Sequence, residues 1–380
     1  MTSGSKTAAS KRLGTLYDAQ LLLPVLFLVG IGIVMVYSAS SALALKKYGS
    51  DYYFLKRQAI FALLGILAMI TARHVPYEWY RPMTYPLLLT ALALLILVQV
   101  SNAGITAGGA RRWLRLGTLT FQPVEVTRLA LVVYLAYSMQ KKSERLQQFL
   151  VGFFPHVVIL GLFSTLIFMQ PDFGSVVILS AIVWVMMFVG GVPLIHLLSP
   201  LLLIVPLGLM LMAKAEYRIH RLISFWDPWQ YADGAGYQTI HSLMAFGTGG
   251  WWGVGIGKGY QKLFYLPEPH TDFIFSVIGE ELGLVGILLI VSLYAVIVWR
   301  GFGIARLVGD EFGTYMAVGL TTTIALQVTV NMGVALGLLP TKGLTLPFLS
   351  YGGTSLLLSM VSIGILMNIA SKSGRFRKKR

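Results

Sequence analysis

The sequence lacks cysteine and is poor in charge. No cysteine occurs among the 380 residues, which excludes a disulfide framework and any thiolate metal site. Only 12% of the residues are charged and 56% are hydrophobic, a composition that excludes a soluble globular protein of this length. The apolar residues occur in runs of about twenty, which is the length that spans a hydrocarbon core. The chain is therefore predicted to be a membrane protein.

Negative charge is the scarcer sign. Asp and Glu number 15 against 30 Lys and Arg, which gives a formal net charge of +15. In a soluble protein this excess would suggest nucleic acid, but basic loops beside anionic lipid head groups explain it here. We therefore predict no nucleic-acid partner. Both chain ends are polar and basic, and residues 1–19 and 371–380 are interpreted as cytoplasmic tails.

Hydropathy predicts an all-α polytopic membrane protein with about ten transmembrane helices in one membrane domain over residues 20–370. The predicted spans are 20–43, 58–73, 83–100, 123–140, 150–169, 175–191, 194–213, 273–299, 312–335 and 350–370. A large extracytoplasmic loop, 214–271, is predicted between helices 7 and 8. Its clusters of Gly and Trp favour a functional loop, while the alternative is an interfacial loop anchored by Trp at the head groups.

An even number of helices places both termini on the same side of the membrane. With both ends in the cytoplasm, 16 Lys and Arg lie inside and 13 lie outside. The positive-inside rule is therefore obeyed only weakly. An outer face this basic indicates an anionic ligand there. The glycine-rich run GGWWGVGIGKGY does not meet the P-loop spacing, and no zinc-protease or paired-His spacing occurs, so no metal site is predicted.

Acidic residues lie at the entrance of the predicted eighth helix and inside it. Asp272 is either a helix N-cap or a general base in a partly dehydrated site, and spacing alone leaves both open. Glu280 and Glu281 follow about two turns deeper in the same helix. Acids inside a span usually face the bundle interior. We therefore predict a structural network in which these acids pair with Arg128, which has Glu125 one turn before it.

Basic side chains are predicted to line the outer face. Arg111, Arg112 and Arg115 lie around Trp113, either as snorkelling side chains or as a clamp for phosphate. Further basic residues predicted on this face are Arg218, Arg221 and Lys342.

Ordered motifs extend through nearly the whole chain. They include GARRW, QPVE, QPDFG, YRIHR, FWDPW, GTGG, LPEPHTDFIFSVIGEELG and LLPTKGLTLPFLSYGGTS. Together they resemble the FtsW/RodA family of shape, elongation, division and sporulation proteins. Lys342 in PTKG makes the chain more similar to the division branch than to the elongation branch. The family usually has Lys where Arg128 stands and Ser where Thr354 stands.

The resemblance implies a peptidoglycan glycosyltransferase that polymerises lipid II at the outer face of the membrane. Asp272 matches the family's catalytic aspartate and is expected to accept the proton of an acceptor sugar 4-hydroxyl. That oxygen would attack the anomeric carbon of the donor with inversion, releasing undecaprenyl pyrophosphate. The residues expected to bind the substrate are Arg111, Arg112, Arg218, Arg221, Gln238, Ser242, Lys258, Lys262, His270, Lys342 and Ser350.

The same resemblance implies partners and a location. We expect a cognate class B penicillin-binding protein, other membrane proteins of division, and a place in the inner membrane at the septum. No motif requires a cofactor, although a divalent cation, Mg²⁺ or Mn²⁺, would share the leaving-group charge if one binds. The alternative functions are a lipid II flippase and a non-enzymatic scaffold. A flippase should have a polar path through both halves of the membrane, and the inner half of this chain has few polar groups.

Overall fold

The fold was analysed in a computed structural model, which describes residues 18–101, 104–107, 110–117, 119–200, 224–234, 236–263 and 265–377, with single positions at 202, 206 and 210. The helices are α1 (Ala19–Tyr48), α2 (Tyr53–His74), α3 (Thr84–Val100), α4 (Pro123–Lys141), α5 (Phe154–Phe168), α6 (Phe173–Val189), α7 (Leu194–Leu198), α8 (Tyr237–Gly249), α9 (Ile274–Leu307), α10 (Glu311–Ala335) and α11 (Gly353–Arg377). The strands are β1 (Gly104–Ala107), β2 (Ala110–Leu116) and β3 (Leu119–Phe121).

The all-α polytopic membrane fold is confirmed. Within the described residues, nine of the ten predicted spans correspond to α1–α6 and α9–α11. Six helical segments are long and apolar enough to cross a membrane, and α3 and α6 are apolar helices of 17 residues each. The predicted seventh span, 194–213, begins with the short α7 and otherwise lies almost entirely outside the described residues.

Small residues allow the helices to approach closely. A β-carbon on Gly364 of α11 would lie 2.4 Å from the carbonyl oxygen of Met69 on α2. One on Gly301 of α9 would lie 2.3 Å from the hydroxyl of Thr321 on α10. Because lipid tails are as apolar as leucine, close van der Waals packing of this kind drives helix association in membranes.

One correction concerns the segment between α3 and α4, which the prediction left without secondary structure. It forms a small antiparallel sheet in the order β1-β2-β3. Trp113 pairs with Ile105, and Thr120 pairs with Arg115. The sheet lies where α4 begins, so it places the arginines of β2 beside the helix ends on that side of the bundle.

A second feature concerns the predicted 214–271 loop, part of which packs against α9. Residues 250–255 bond to a break in α9, where Gly283 adopts a φ of 65°. Val254 and Gly255 donate to the carbonyls of Glu280 and Glu281 at 3.0 Å each. The amides of α9 just after the break donate in turn to the carbonyls of residues 250 and 251. The loop therefore supplies the backbone partners that the broken helix lacks.

The glycine cluster of this loop has a packing role. A β-carbon on Gly249 would lie 2.0 Å from the carbonyl oxygen of Gly279, and one on Gly253 would lie 2.1 Å from that of Glu281. No side chain fits at either position without displacing α9. The glycines thus permit the approach of the loop to the helix.

Candidate active site

Asp272 lies in the turn immediately before α9 and is half-buried. The side-chain amide of Asn331 on α10 donates to the carbonyl oxygens of Asp272 at 3.0 Å and of Leu344 at 2.5 Å. The Ser350 hydroxyl donates to the Thr271 carbonyl at 2.6 Å. These bonds fix the turn of Asp272 against the segment 340–352, which connects α10 to α11.

The environment of the Asp272 carboxyl raises its pKa to about 7. Burial is the largest cause, because it disfavours the charged form, and the Glu268 carboxylate adds to it. The Arg112 guanidinium and the Thr271 side chain act in the opposite direction. A β-carbon on Gly343 would lie 3.0 Å from Asp272 Oδ2, so glycine at this position keeps one face of the carboxyl open.

Lys342 lies beside Gly343 and faces the start of α6. Its Cδ would lie 3.0 Å from a β-carbon on Gly174, and its Nζ lies 5.3 Å from the centroid of the Phe173 ring. Burial lowers the pKa of Lys342, while the nearby Asp172 carboxylate acts in the opposite direction. The ammonium group is therefore a partly desolvated cation next to the Asp272 turn.

Arg112 is the second cation of the site. Its Nη2 donates to the Pro171 carbonyl at 2.8 Å, and its Nε lies 3.8 Å from Asp172 Oδ2. Asp172 is itself the N-cap of α6, accepting from the amide and hydroxyl of Ser175 at 3.2 and 2.8 Å. The QPDFG segment thus positions both Arg112 and Lys342.

Asp172 and Asn331 are site residues for which the sequence analysis predicted no role. QPDFG was recognised only as part of a family resemblance. An acid after proline and directly before an apolar run is an N-cap signal, and that signal could have identified Asp172. Nothing in the sequence near Asn331 indicates that its side chain bonds to two loop carbonyls.

The predicted clamp of Arg111 and Arg112 is corrected. Arg111 donates to the carbonyls of Gln99 at 3.1 Å and of Ser101, so its guanidinium connects β2 to the end of α3. Two of its donors are thus used within the protein, and Arg112 rather than Arg111 acts on the Asp272 carboxyl. Arg218 and Arg221, the second predicted basic patch, lie outside the described residues.

Two other residues predicted to bind substrate have buried polar groups already bonded within the protein. The Lys262 ammonium lies 2.6 Å from Glu281 Oε1 and 2.9 Å from the Ser38 hydroxyl. The Ser242 hydroxyl is fully buried, 2.6 Å from the Ser276 hydroxyl. Their geometry supports packing roles for both side chains and does not support contact with a substrate.

His270 and Ser350 are buried and contact other residues of the site. The His270 ring lies 4.4 Å from that of Phe54 and 5.6 Å from that of Tyr351. Burial lowers the pKa of His270 to about 4, with Lys47 contributing, so this imidazole is neutral and unsuited to binding an anion. Ser350 is buried and bonded to backbone on both sides.

The last two predicted substrate residues lie on the segment that packs against α9. Gln238 is half-buried on α8, and Lys258 is exposed in the glycine-rich loop. Within the described part of the chain, neither forms a hydrogen bond with the residues around Asp272. Their assignment to substrate binding stays a prediction.

The predicted intramembrane network is two separate networks. Arg128 pairs with Glu125 at 2.7 Å, and not with either acid of α9. Glu281 instead accepts from Lys262, from the Ser38 hydroxyl at 2.7 Å and from the amide of Gly257 at 2.9 Å. The expected ion pair across the bundle was wrong because the glycine-rich loop supplies the nearer partners.

Glu280 has no cation as its direct partner among these contacts. Its carboxylate accepts from the amide of Tyr260 at 2.8 Å and from that of Gln261 at 3.2 Å. Both acids of α9 therefore hold the glycine-rich loop.

Among the described residues, no group of three or more His, Asp or Glu side chains could hold a metal ion. Two cations, Arg112 and Lys342, lie near Asp172, and the Arg112 guanidinium also acts on Asp272. The chemistry that the arrangement supports is proton acceptance by Asp272 beside two positive side chains that stabilise negative charge on a neighbouring group.

These features define a polytopic membrane protein with a polar site at one membrane face, built from the start of α9, the β-sheet and two helix connections. The chain belongs to the cell cycle protein family of FtsW, RodA and SpoVE, whose model matches residues 19–375.

Curated relatives match along almost their whole length. The chain is 45% identical over 356 residues to "Probable peptidoglycan glycosyltransferase FtsW" of Geobacter sp. (strain M18), covering 94% of this chain and 97% of the relative. It is 45% identical over 355 residues to the protein of the same name from Trichlorobacter lovleyi, covering 93% of each.

Solved structures share the fold. A chain of a peptidoglycan synthase complex that coordinates polymerization and crosslinking superposes with a TM-score of 0.78 at 29% identity, covering 94% of this chain and 98% of that one. The rod shape determining protein RodA of Thermus thermophilus superposes with a TM-score of 0.68 at 29% identity, covering 93% and 96%.

Proposed function

We propose that this chain is a peptidoglycan glycosyltransferase that polymerises lipid II into glycan strands. The observation that carries the proposal is the Asp272 carboxyl, which is half-buried, has a pKa raised to about 7 by burial and lies near the Arg112 guanidinium. A general base is most effective when its pKa lies near the working pH. The names of the relatives, peptidoglycan glycosyltransferases, support the same reaction.

In the proposed reaction, Asp272 accepts the proton of the 4-hydroxyl of the acceptor sugar. The oxygen forms a new bond to the anomeric carbon of the donor, and the bond from that carbon to the pyrophosphate breaks with inversion. The undecaprenyl pyrophosphate leaves with the bonding electrons. Arg112 and Lys342 are cations suited to stabilise the charge that develops on this leaving group. No step is assigned to a metal ion.

Asp272 would face the outside of the inner membrane, with both termini in the cytoplasm. Support comes from the direction of α9, which leads from Asp272 to Arg300 and Arg306 near its other end. Arg300 pairs there with Asp18 at 2.7 Å, so the start of α1 lies at that same face.

The proposed partner is a class B penicillin-binding protein. The similar chain in a complex that coordinates polymerization with crosslinking supports this assignment. Lys342, as the cation of the PTKG segment, and relatives named FtsW support a place in septal wall synthesis. Depletion should then give filamentous cells, whereas round cells that still divide would indicate the elongation role.

The deciding experiment is polymerisation of labelled lipid II by purified Asp272→Asn protein, with and without its transpeptidase. Asn keeps the size of Asp and much of its capping ability, so the change removes the base selectively. Loss of a positioned base costs on the order of 10²–10⁴ in rate. The matched control is Asp51→Asn, which removes a carboxylate that accepts from Tyr37 at 3.0 Å between α1 and α2. If folded Asp272→Asn protein makes polymer at the normal rate, the glycosyltransferase mechanism is wrong and a transporter or scaffold role is favoured.

A further inference from the structure

A cavity of about 720 Å³ opens at the end of the bundle opposite to Asp272. It lies at the C-terminal end of α4, whose N-terminal end adjoins β3 and the start of α11. At 1.5 Å per residue, the 19 residues of α4 span roughly 27 Å. The cavity is therefore about one hydrocarbon thickness from the Asp272 site, and its volume is typical of small-molecule sites.

The wall of the cavity combines apolar, aromatic and cationic side chains. Its lining residues are Leu88, Val151 and Ile159; Tyr85, Tyr134 and Tyr137; Ser138, Ser143 and Glu144; and Lys141, Lys142 and Arg145. The rings of Tyr85 and Tyr137 meet edge-on with centroids 6.0 Å apart. Tyrosine is enriched at the level of lipid head groups. Apolar, aromatic and cationic side chains in one cavity match the chemical parts of a phospholipid, its acyl chains and its charged head group.

The three cations of the cavity differ from other cations on the same membrane face. Arg81 pairs with Asp310 at 2.8 Å, and Arg300 pairs with Asp18 at 2.7 Å. By contrast, Lys141, Lys142 and Arg145 form no ion pair with any residue that the structure describes.

The Lys141 ammonium lies 6.0 Å from the centroid of the Tyr137 ring, over the cavity wall. With Glu144 as the one acid of the lining, the lining carries a net charge of +2. The carbonyls at the C-terminal end of α4 attract cations. This helix end does not explain why three tyrosines also line the cavity.

We propose that this cavity binds an anionic phospholipid of the adjacent leaflet. The lipid phosphate lies among Lys141, Lys142 and Arg145, and the first acyl carbons contact Leu88 and Ile159. Arg suits bidentate contact with phosphate, and Lys serves as a point charge. The leaflet on the cytoplasmic side carries the anionic lipids, in agreement with the proposed orientation. The lipid-binding proposal itself does not depend on lipid II polymerisation.

The test is the retention of lipid by the intact protein from nanodiscs that contain phosphatidylglycerol and phosphatidylethanolamine, measured by native mass spectrometry. Each of Lys141→Gln, Lys142→Gln and Arg145→Gln should reduce the retention of phosphatidylglycerol roughly fivefold. Ile159→Trp should reduce it without changing any charge, because the larger ring fills the apolar part of the cavity. Phosphatidylethanolamine retention should not change in the charge variants.

Arg306→Gln is the matched control, since Arg306 is exposed at the same face and outside the cavity. Equal losses of phosphatidylglycerol retention in Arg306→Gln and in the three cavity variants would overturn the proposal. The lipid would then be attracted by the positive charge of the whole face and not by the cavity. Unchanged retention in Ile159→Trp would overturn the cavity as the binding site. A parallel thermal-unfolding series in neutral detergent adds inorganic phosphate. Stabilisation by free phosphate equal to that by phosphatidylglycerol would overturn a lipid as the ligand.

Discussion

Two carboxyl groups, that of Glu281 within α9 and that of Asp272 in the turn before it, lie only a few helical turns apart and differ in how their oxygens are satisfied. The Glu281 carboxylate receives a lysine, a serine hydroxyl and a backbone amide, and it is fully buried. The Asp272 carboxyl receives no backbone amide from the described residues, and Thr271 is its hydrogen-bonding neighbour. A carboxylate whose acceptors are filled by its own protein holds structure. One that is partly desolvated and open is available for a proton from another molecule.

The largest expected effect concerns Glu281, whose carboxylate oxygens are hydrogen-bonded within the protein. Lys262→Met leaves Glu281 buried without its cation, and breaking a buried pair from one side costs about 3–5 kcal/mol of stability. Thermal or denaturant unfolding in detergent measures this loss. Lys258→Met is the control, because Lys258 is exposed in the same loop. The double change Lys262→Met with Glu281→Gln should recover part of the lost stability. If Lys262→Met leaves the stability unchanged, the pair of Lys262 and Glu281 does not stabilise the fold.

The second effect concerns Arg112 and Lys342, the two cations of the candidate active site. Arg112→Gln and Lys342→Gln should each lower the polymerisation rate by about 10²–10³, the usual result of removing one donor from a developing charge. Arg111→Gln should instead lower stability, since Arg111 bonds to the end of α3, and should leave the rate per folded molecule near normal. Rates normalised to folded protein separate these results. Equal rate losses in Arg111→Gln and Arg112→Gln would restore the two-arginine clamp.

A third effect is pH dependence. The Asp272 base works only when deprotonated, so with a pKa of about 7 its active fraction falls as the pH decreases. The initial rate should decrease roughly tenfold for each pH unit below 7 and level off above it. The lowered pKa of Lys342 should bring a second decrease at alkaline pH. Initial rates over the pH range, with unfolding measured at each pH, test this, and a flat acid side would exclude Asp272 as the base.

The smallest effect should come from Glu268→Gln. The Glu268 carboxylate raises the pKa of Asp272, so its removal should shift the acid side of the pH profile to lower pH. Its side chain is 65% exposed, and solvent screens its charge. The rate at the plateau should not change. A shift to higher pH would contradict the assigned environment of Asp272.

Hydropathy predicted the apolar helices, because runs of apolar residues are a local signal, whereas the catalytic role of Asp272 came from the family resemblance and its spacing left a helix cap equally open. Sequence reasoning did not predict the partners of Glu280 and Glu281, which lie in the glycine-rich loop before α9 and, for Ser38, on α1. It grouped Arg111 with Arg112, although Arg111 bonds to the end of α3 and Arg112 bonds to the Pro171 carbonyl. No local pattern in the sequence predicts the irregular strand pairing at Arg112, which has no partner on β1.

The break in α9 has a consequence for how the protein is made. The amides and carbonyls on either side of Gly283 bond to residues 250–255, which are synthesised before α9. When α9 enters the bilayer, residues 250–255 have already left the ribosome. The loop can therefore act as a template for the second half of the helix, so a deletion within 250–255 should arrest biogenesis before it affects catalysis.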